Sequence, residues 1–338
     1  MSRSIHRTTR HPLSQPCATA LAALAAIGAL TACGGGGSSD AADEVLSADT
    51  ATSYSANASL IASDAATVLD TSVLAAQSVV ATQATVAAAH ESAQRVSASA
   101  VTNLTVDCAG GGSALLTITG GTAASVLNGQ LDTGEIYTLA FMDCRGSAGA
   151  AVVNGALSLT VLDAAAGGLT VTTEATGLSV AMPRGSASLN GSTTRSVSST
   201  TDGNGTTLLT SHVTSPSLGL TTHYNGRTSD FSLNAVDITH QAALRDGVLQ
   251  GSAINGTYTL SPTLPNGSAS VTVATQGGVS YGPTGLPIAG AWTITLPRVA
   301  IGLSIANSLA TITVDQGKNG TIDRSVTVPV SRLASDAG

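Results

Sequence analysis

Histidine is the side chain in this sequence best suited to acid–base chemistry or metal binding near neutral pH, and beyond the first 32 residues it occurs as His90, His212, His223 and His240. Three of these fall within one short stretch, so their convergence on a metal is the first reading to test. If Asn225-Gly226 forms a two-residue hairpin turn, facing residues have numbers that sum to 451, the sum of 225 and 226. His212 then stands opposite Thr239, and His240 belongs to the other face. A bulge would reverse this, because the alternation of Phe231 and Leu233 shifts to Val236 and Ile238. The expectation is surface or edge histidines with no metal ligand among them. Serine is too abundant to point to a nucleophile. The strained Gly-x-Ser-x-Gly elbow, the Gly-x-x-x-x-Gly-Lys phosphate loop and His-Glu-x-x-His are all missing; His90-Glu91-Ser92 opens like the last but no second histidine follows. No catalytic residue and no cofactor site is assigned.

The acidic run Asp315-Gln316-Gly317-Lys318-Asn319-Gly320-Thr321-Ile322-Asp323 looks like part of a calcium loop of the EF-hand type, with Asp, Asn, Gly and Asp at the first, fifth, sixth and ninth places. Gly317 brings no oxygen to the third place, and Val326 stands where a bidentate Glu belongs. The flanks read as strands, so a tight hairpin turn explains the same residues. Asp202-Gly203-Asn204-Gly205 is a weaker version and reads as a turn.

The amino-terminal stretch carries Arg3, Arg7 and Arg10 without an acidic residue, then the apolar residues 17–30. This is the charged and hydrophobic pattern of an export signal, and the apolar part is shorter than the roughly 20 residues a spanning helix needs. Leu30-Thr31-Ala32-Cys33 follows and resembles the lipobox of bacterial lipoproteins. The resemblance implies that residues 1–32 are removed and that Cys33 receives a diacylglyceryl group. Two or three acyl chains would make attachment stable. Gly34, in place of the Asp that holds Gram-negative lipoproteins in the inner membrane, implies the outer membrane. Export also sets the redox setting: Cys17 leaves with the signal, Cys33 carries lipid, and Cys108 and Cys144 are expected to pair in an oxidising periplasm.

Without the signal, ten basic residues face twenty acidic ones. That balance argues against nucleic acid or anionic headgroups as partners, since both need basic patches. Aromatic residues make up only 2% of the chain, which disfavours sugar clefts, single-strand grooves and the girdles of membrane barrels.

The elements that must carry these residues read as follows. Residues 33–56, beginning Gly34-Gly35-Gly36-Gly37-Ser38-Ser39, form a flexible tether. Over residues 57–101 glycine and proline are absent, and Ile61, Val68, Leu69, Val73, Val79, Val80 and Val86 share a stripe of about 140°, with Asp64, Gln77 and Gln83 outside it. This predicts one long or two shorter amphipathic helices. Residues 102–338 alternate with period two, from Leu104, Val106 and Cys108 to Val326, Val328 and Val330. Turn signals fall at Asn128-Gly129, Asn190-Gly191, Asn225-Gly226, Asn266-Gly267 and Asn319-Gly320. The fold expected is mainly β, an antiparallel meander of about 11–14 strands curled into a half-barrel on the helix, with a sandwich or closed barrel as alternatives.

The function expected is a non-enzymatic structural or binding lipoprotein of the outer membrane, held through Cys33, with an envelope protein or lipid as partner. A lipid or lipoprotein carrier is the alternative, and a hydrolase with a concealed site ranks third.

Overall fold

The computed structural model of the chain describes residues 46–90, 101–122, 125–126, 128–165, 167–262 and 270–337. The expected signal, Cys33 and the Asn266-Gly267 turn lie outside them.

An alanine-rich run without glycine or proline forms the 43-residue helix α1 (Ala48–His90). It begins inside the stretch expected to be a tether, and Val101, expected to end it, opens the first strand. The early start has a packing reason. Ala51, Ser55 and Ala56 are fully buried, small enough for strands to approach the helix closely, and small residues leave no trace in a periodicity built on large aliphatic ones. Burial also exceeds the predicted stripe, since Asp64, Asp70 and Gln83 on the helix are buried as well.

Fifteen strands follow among the described residues: β1 (Val101–Asp107), β2 (Ser113–Thr119), β3 (Ile136–Cys144), β4 (Val153–Ala165), β5 (Gly168–Met182), β6 (Gly185–Thr201), β7 (Thr206–Tyr224), β8 (Arg227–Arg245), β9 (Val248–Pro262), β10 (Val271–Thr275), β11 (Val279–Tyr281), β12 (Pro287–Thr295), β13 (Val299–Ala306), β14 (Leu309–Gln316) and β15 (Arg324–Pro329). They form one antiparallel sheet with sequence neighbours side by side; the long β9 and β12 flank both β10 and the three-residue β11. A short helix α2 (Val330–Asp336) packs on α1, so Val330 ends the strand pattern instead of extending it. The Cys108–Cys144 disulfide ties the loop after β1 to the end of β3, with Cα atoms 5.5 Å apart.

Asn225-Gly226 is a two-residue hairpin turn with φ of 52° and 75°, as the mirror-image turn requires. Asp246-Gly247 and Asn307-Ser308 make the same kind of turn. Asn190-Gly191 does not: it lies inside β6, on a line of irregularities that crosses the sheet through Gly155, Gly177, Gly191, Ala235 and Gly256. Register slips there between β4 and β5, β5 and β6, β6 and β7, and β8 and β9, while β7 and β8 keep one register throughout. In β5 the inward residues jump from Ala175 to Leu178, and in β8 from Leu233 to Val236. Bulges of this kind bend a sheet sharply. The crease accounts for the curl: α1 contacts β1, β4–β8 and β12–β15, so the sheet is a half-barrel wrapped on its own helix, and the concave face with α1 is the core.

Candidate functional site

Three adjacent strands present polar side chains on the concave face. Ser211 in β7 pairs directly with His240 in β8, and Arg195 in β6 pairs with Val213, one inward position along from Ser211. Helix α1 lays Asp70 against them. Asp70 Oδ1 accepts from Arg195 Nη2 and, at 3.0 Å, from Ser211 Oγ; Oδ2 accepts from His240 Nδ1 at 2.6 Å. No member of the four is more than 4% exposed.

The charges determine the protonation. The Arg195 guanidinium already balances the Asp70 carboxylate, and a proton on His240 would leave net positive charge in a dry interior. Burial, with the Arg195 charge adding to it, lowers the His240 pKa from 6.5 to about 4. Burial also lowers that of Arg195 to about 9, which leaves it charged at neutral pH. An ionised carboxylate only accepts, so the neutral imidazole carries its hydrogen on Nδ1 and presents Nε2 as a bare acceptor. That Nε2 is buried without a protein partner.

A second ion pair holds another side of the helix. Asp64 stands six residues before Asp70, about 120° around α1, and meets Arg184 of the β5–β6 turn at 2.7 and 2.8 Å. The Arg184 guanidinium lies over the Tyr224 ring at 4.6 Å. Burial raises the Asp64 pKa, and Arg184 opposes the rise. Tyr258 and Tyr281 donate their hydroxyls to the carbonyls of Ala58 and Ser59.

Beside Asp70 and His240 lies a cavity of about 600 Å³, walled by aliphatic side chains including Leu74, Val180, Leu209, Leu244 and Leu249. Gly149, Asp246 and Val248 at its rim are exposed. A second cavity of about 490 Å³ shares Leu74 and Leu209 with it, so these two leucines stand between the two spaces. Ser211 is fully buried and does not line the larger cavity. A serine nucleophile needs an imidazole between itself and the acid. Here the carboxylate stands between serine and imidazole, an order that fixes side chains in place and gives the serine hydroxyl the carboxylate, not the imidazole, as its partner.

His212 does stand opposite Thr239; it is exposed and bonds Asp237 at 2.8 Å, and exposed His223 bonds Thr228 at 2.9 Å. His240 lies on the other face as expected, but it is buried against α1 instead of at the surface or an edge. In the calcium-like loop, Asp315 Oδ1 and Oδ2 accept the backbone N–H groups of Asn319 and Gly320 at 3.0 and 2.8 Å, and Asp323 Oδ2 accepts that of Gln316 at 2.7 Å. The carboxylates shape the turn. Asp202 does the same for Asn204 and Thr206. Among the described residues no group of three or more His, Cys, Asp or Glu side chains is gathered as a metal would need. Asp70, Arg195 and Arg184 were not singled out by the sequence reading. The available signal was carboxylates within an otherwise apolar helix, which must find cationic partners once the helix is enclosed.

Comparison with protein-family models, with curated proteins and with solved structures found no match for this chain.

Proposed function

We propose that this chain is an exported lipoprotein, anchored to the outer membrane through Cys33, that works as a binding protein and holds a small apolar ligand beside α1. The observation that carries the reading is the cavity of about 600 Å³: mainly aliphatic on its walls, open at an exposed rim, with a few polar side chains among them, including Asp70, Arg145 and His240. Binding sites for small molecules typically have this size and this ratio of apolar wall to oriented polar group. The signal pattern, the lipobox-like Leu30-Thr31-Ala32-Cys33 and the glycine run after it support the address.

A hydrolase is the second reading, favoured by the nearness of Ser211, Asp70 and His240. The order of their hydrogen bonds and the burial of Ser211 speak for binding instead.

The test is a saturable probe and a filled cavity. The neutral dye Nile red should brighten on the purified chain with one-site saturation. Leu74→Trp, which puts an indole into the space at a half-buried position, should weaken binding about tenfold or more while the circular dichroism stays unchanged. Equal binding by both proteins would overturn the cavity reading.

A further inference from the structure

We infer that the ligand is an aliphatic chain ending in a carboxylate, and that the Arg145 guanidinium binds this carboxylate at the mouth of the cavity. The inference rests on the proposed binding role and deepens it.

Arg145 lines the cavity and is half-buried. Its backbone is pinned: it follows Cys144 of the disulfide, its N–H donates to the Gly111 carbonyl and its carbonyl accepts from the Gly110 N–H, both at 2.9 Å. Its Nη1 donates to the Ala150 carbonyl at 2.9 Å. Ala150 adjoins Gly149 of the exposed rim, so the charge stands at the mouth. Among the described residues no carboxylate lies within ion-pair distance of Arg145, whereas the more deeply buried Arg184 and Arg195 each have an aspartate. A guanidinium carries five N–H donors in a fork that matches a carboxylate, and Ala150 uses one of them. A half-buried cation beside an apolar space has lost part of its hydration, and an anionic headgroup restores both hydrogen bonds and charge balance.

The other polar groups of the lining do not redirect the headgroup. Asp70 is committed to Arg195, Ser211 and His240. The hydroxyls of Thr67 and Thr207 bond the Ser63 carbonyl and Thr201. Ser147 Oγ and His240 Nε2 expose almost no surface to any occupant. Thr71 offers a neutral hydroxyl, which donates or accepts and so tolerates either charge. Asp246 opposes a carboxylate, but it is exposed, where water and salt screen it. A single carboxylate needs one cation, not the basic patch that a surface of anionic headgroups requires. The aliphatic walls suit the remainder of the ligand, an unbranched chain.

The test uses the purified chain with labelled leucine methyl groups and arginine side chains, titrated at neutral pH with decanoate, decanol and decylammonium. Decanoate and decanol should both move the methyl signals of Leu74, Leu209, Leu244 and Leu249. Decanoate should bind about tenfold more tightly than decanol, the ratio expected for a charge-assisted hydrogen bond at a partly exposed site, and decylammonium more weakly than either. The Nε resonance of Arg145 should shift with decanoate and stay in place with decanol. Arg145→Gln should keep the affinity for decanol and lose the preference for decanoate, while Asp246→Asn should leave that preference intact. If Arg145→Gln fails to fold, the three probes and the Arg145 signal in the unaltered chain still decide. Equal affinity for decanoate and decanol, a preference for decylammonium, or a decanoate preference that survives Arg145→Gln overturns the carboxylate inference and leaves the cavity reading standing. No methyl response to any of the three overturns the cavity reading itself.

Discussion

Asp70 accepts hydrogen bonds from two strands' worth of donors beyond Arg195, and every partner is buried. Removing it strands a guanidinium and an imidazole in the interior, a change that costs about 3–5 kcal/mol in comparable buried pairs. Asp70→Ala should accordingly shift the urea midpoint far downward, and a variant as stable as the parent would show that the cluster holds nothing. His240 has its own signature. Its folded pKa of about 4 lies below the ordinary 6.5, so between these values the unfolded chain takes up a proton that the folded chain refuses. The His240 contribution to stability is thus present above pH 6.5 and is lost as pH falls towards 4. Nitrogen NMR should find the imidazole neutral with its hydrogen on Nδ1 at pH 7 and still neutral near pH 5; an imidazolium at pH 6 would contradict the assignment. How far this was legible differs by residue. The face of His240 followed from one turn and the pleat, whereas its burial depends on Asp70, 170 residues away in sequence, and no local pattern records a contact of that range.

At the scale of elements, the long strands were legible because one buried face imposes period two, and the antiparallel order because short turns leave no other pairing. The crease was not. Asn190-Gly191 carries the composition of a hairpin turn yet sits within β6, where Asn190 Oδ1 accepts the backbone N–H of Gly177 in β5 at 2.7 Å. The dipeptide supplies a bulge with the same backbone freedom that a turn would use. The shift from Leu233 to Val236 was the visible mark of the same line in β8. Gly256 shows what the crease demands: φ is 145°, and a methyl group there would come within 2.1 Å of the Asp237 carbonyl oxygen. Gly256→Ala should destabilise the chain by about 3 kcal/mol or more through strain and this collision. A thermal midpoint within a degree or two of the parent's would mean that the sheet curls for another reason.

For the whole molecule, the design is a sheet closed over its own helix with space left beside it. By length and hydropathy α1 would suffice to cross a membrane over Ala48–Ala84. Within this fold, however, it is enclosed, and its carboxylates are matched to arginines of the sheet, partners that a bilayer would not supply. The membrane link in the present account comes from Cys33 instead, so Cys33→Ser should move the protein out of the membrane fraction or leave an unprocessed precursor; unchanged mass and retention would refute lipidation. The central claim concerns the space beside α1, and anomalous diffraction from crystals soaked with bromodecane tests it most directly. The account predicts bromine density within the cavity bounded by Leu74, Leu209 and His240. Bromine confined to the surface, with leucine side chains filling that space, would contradict it.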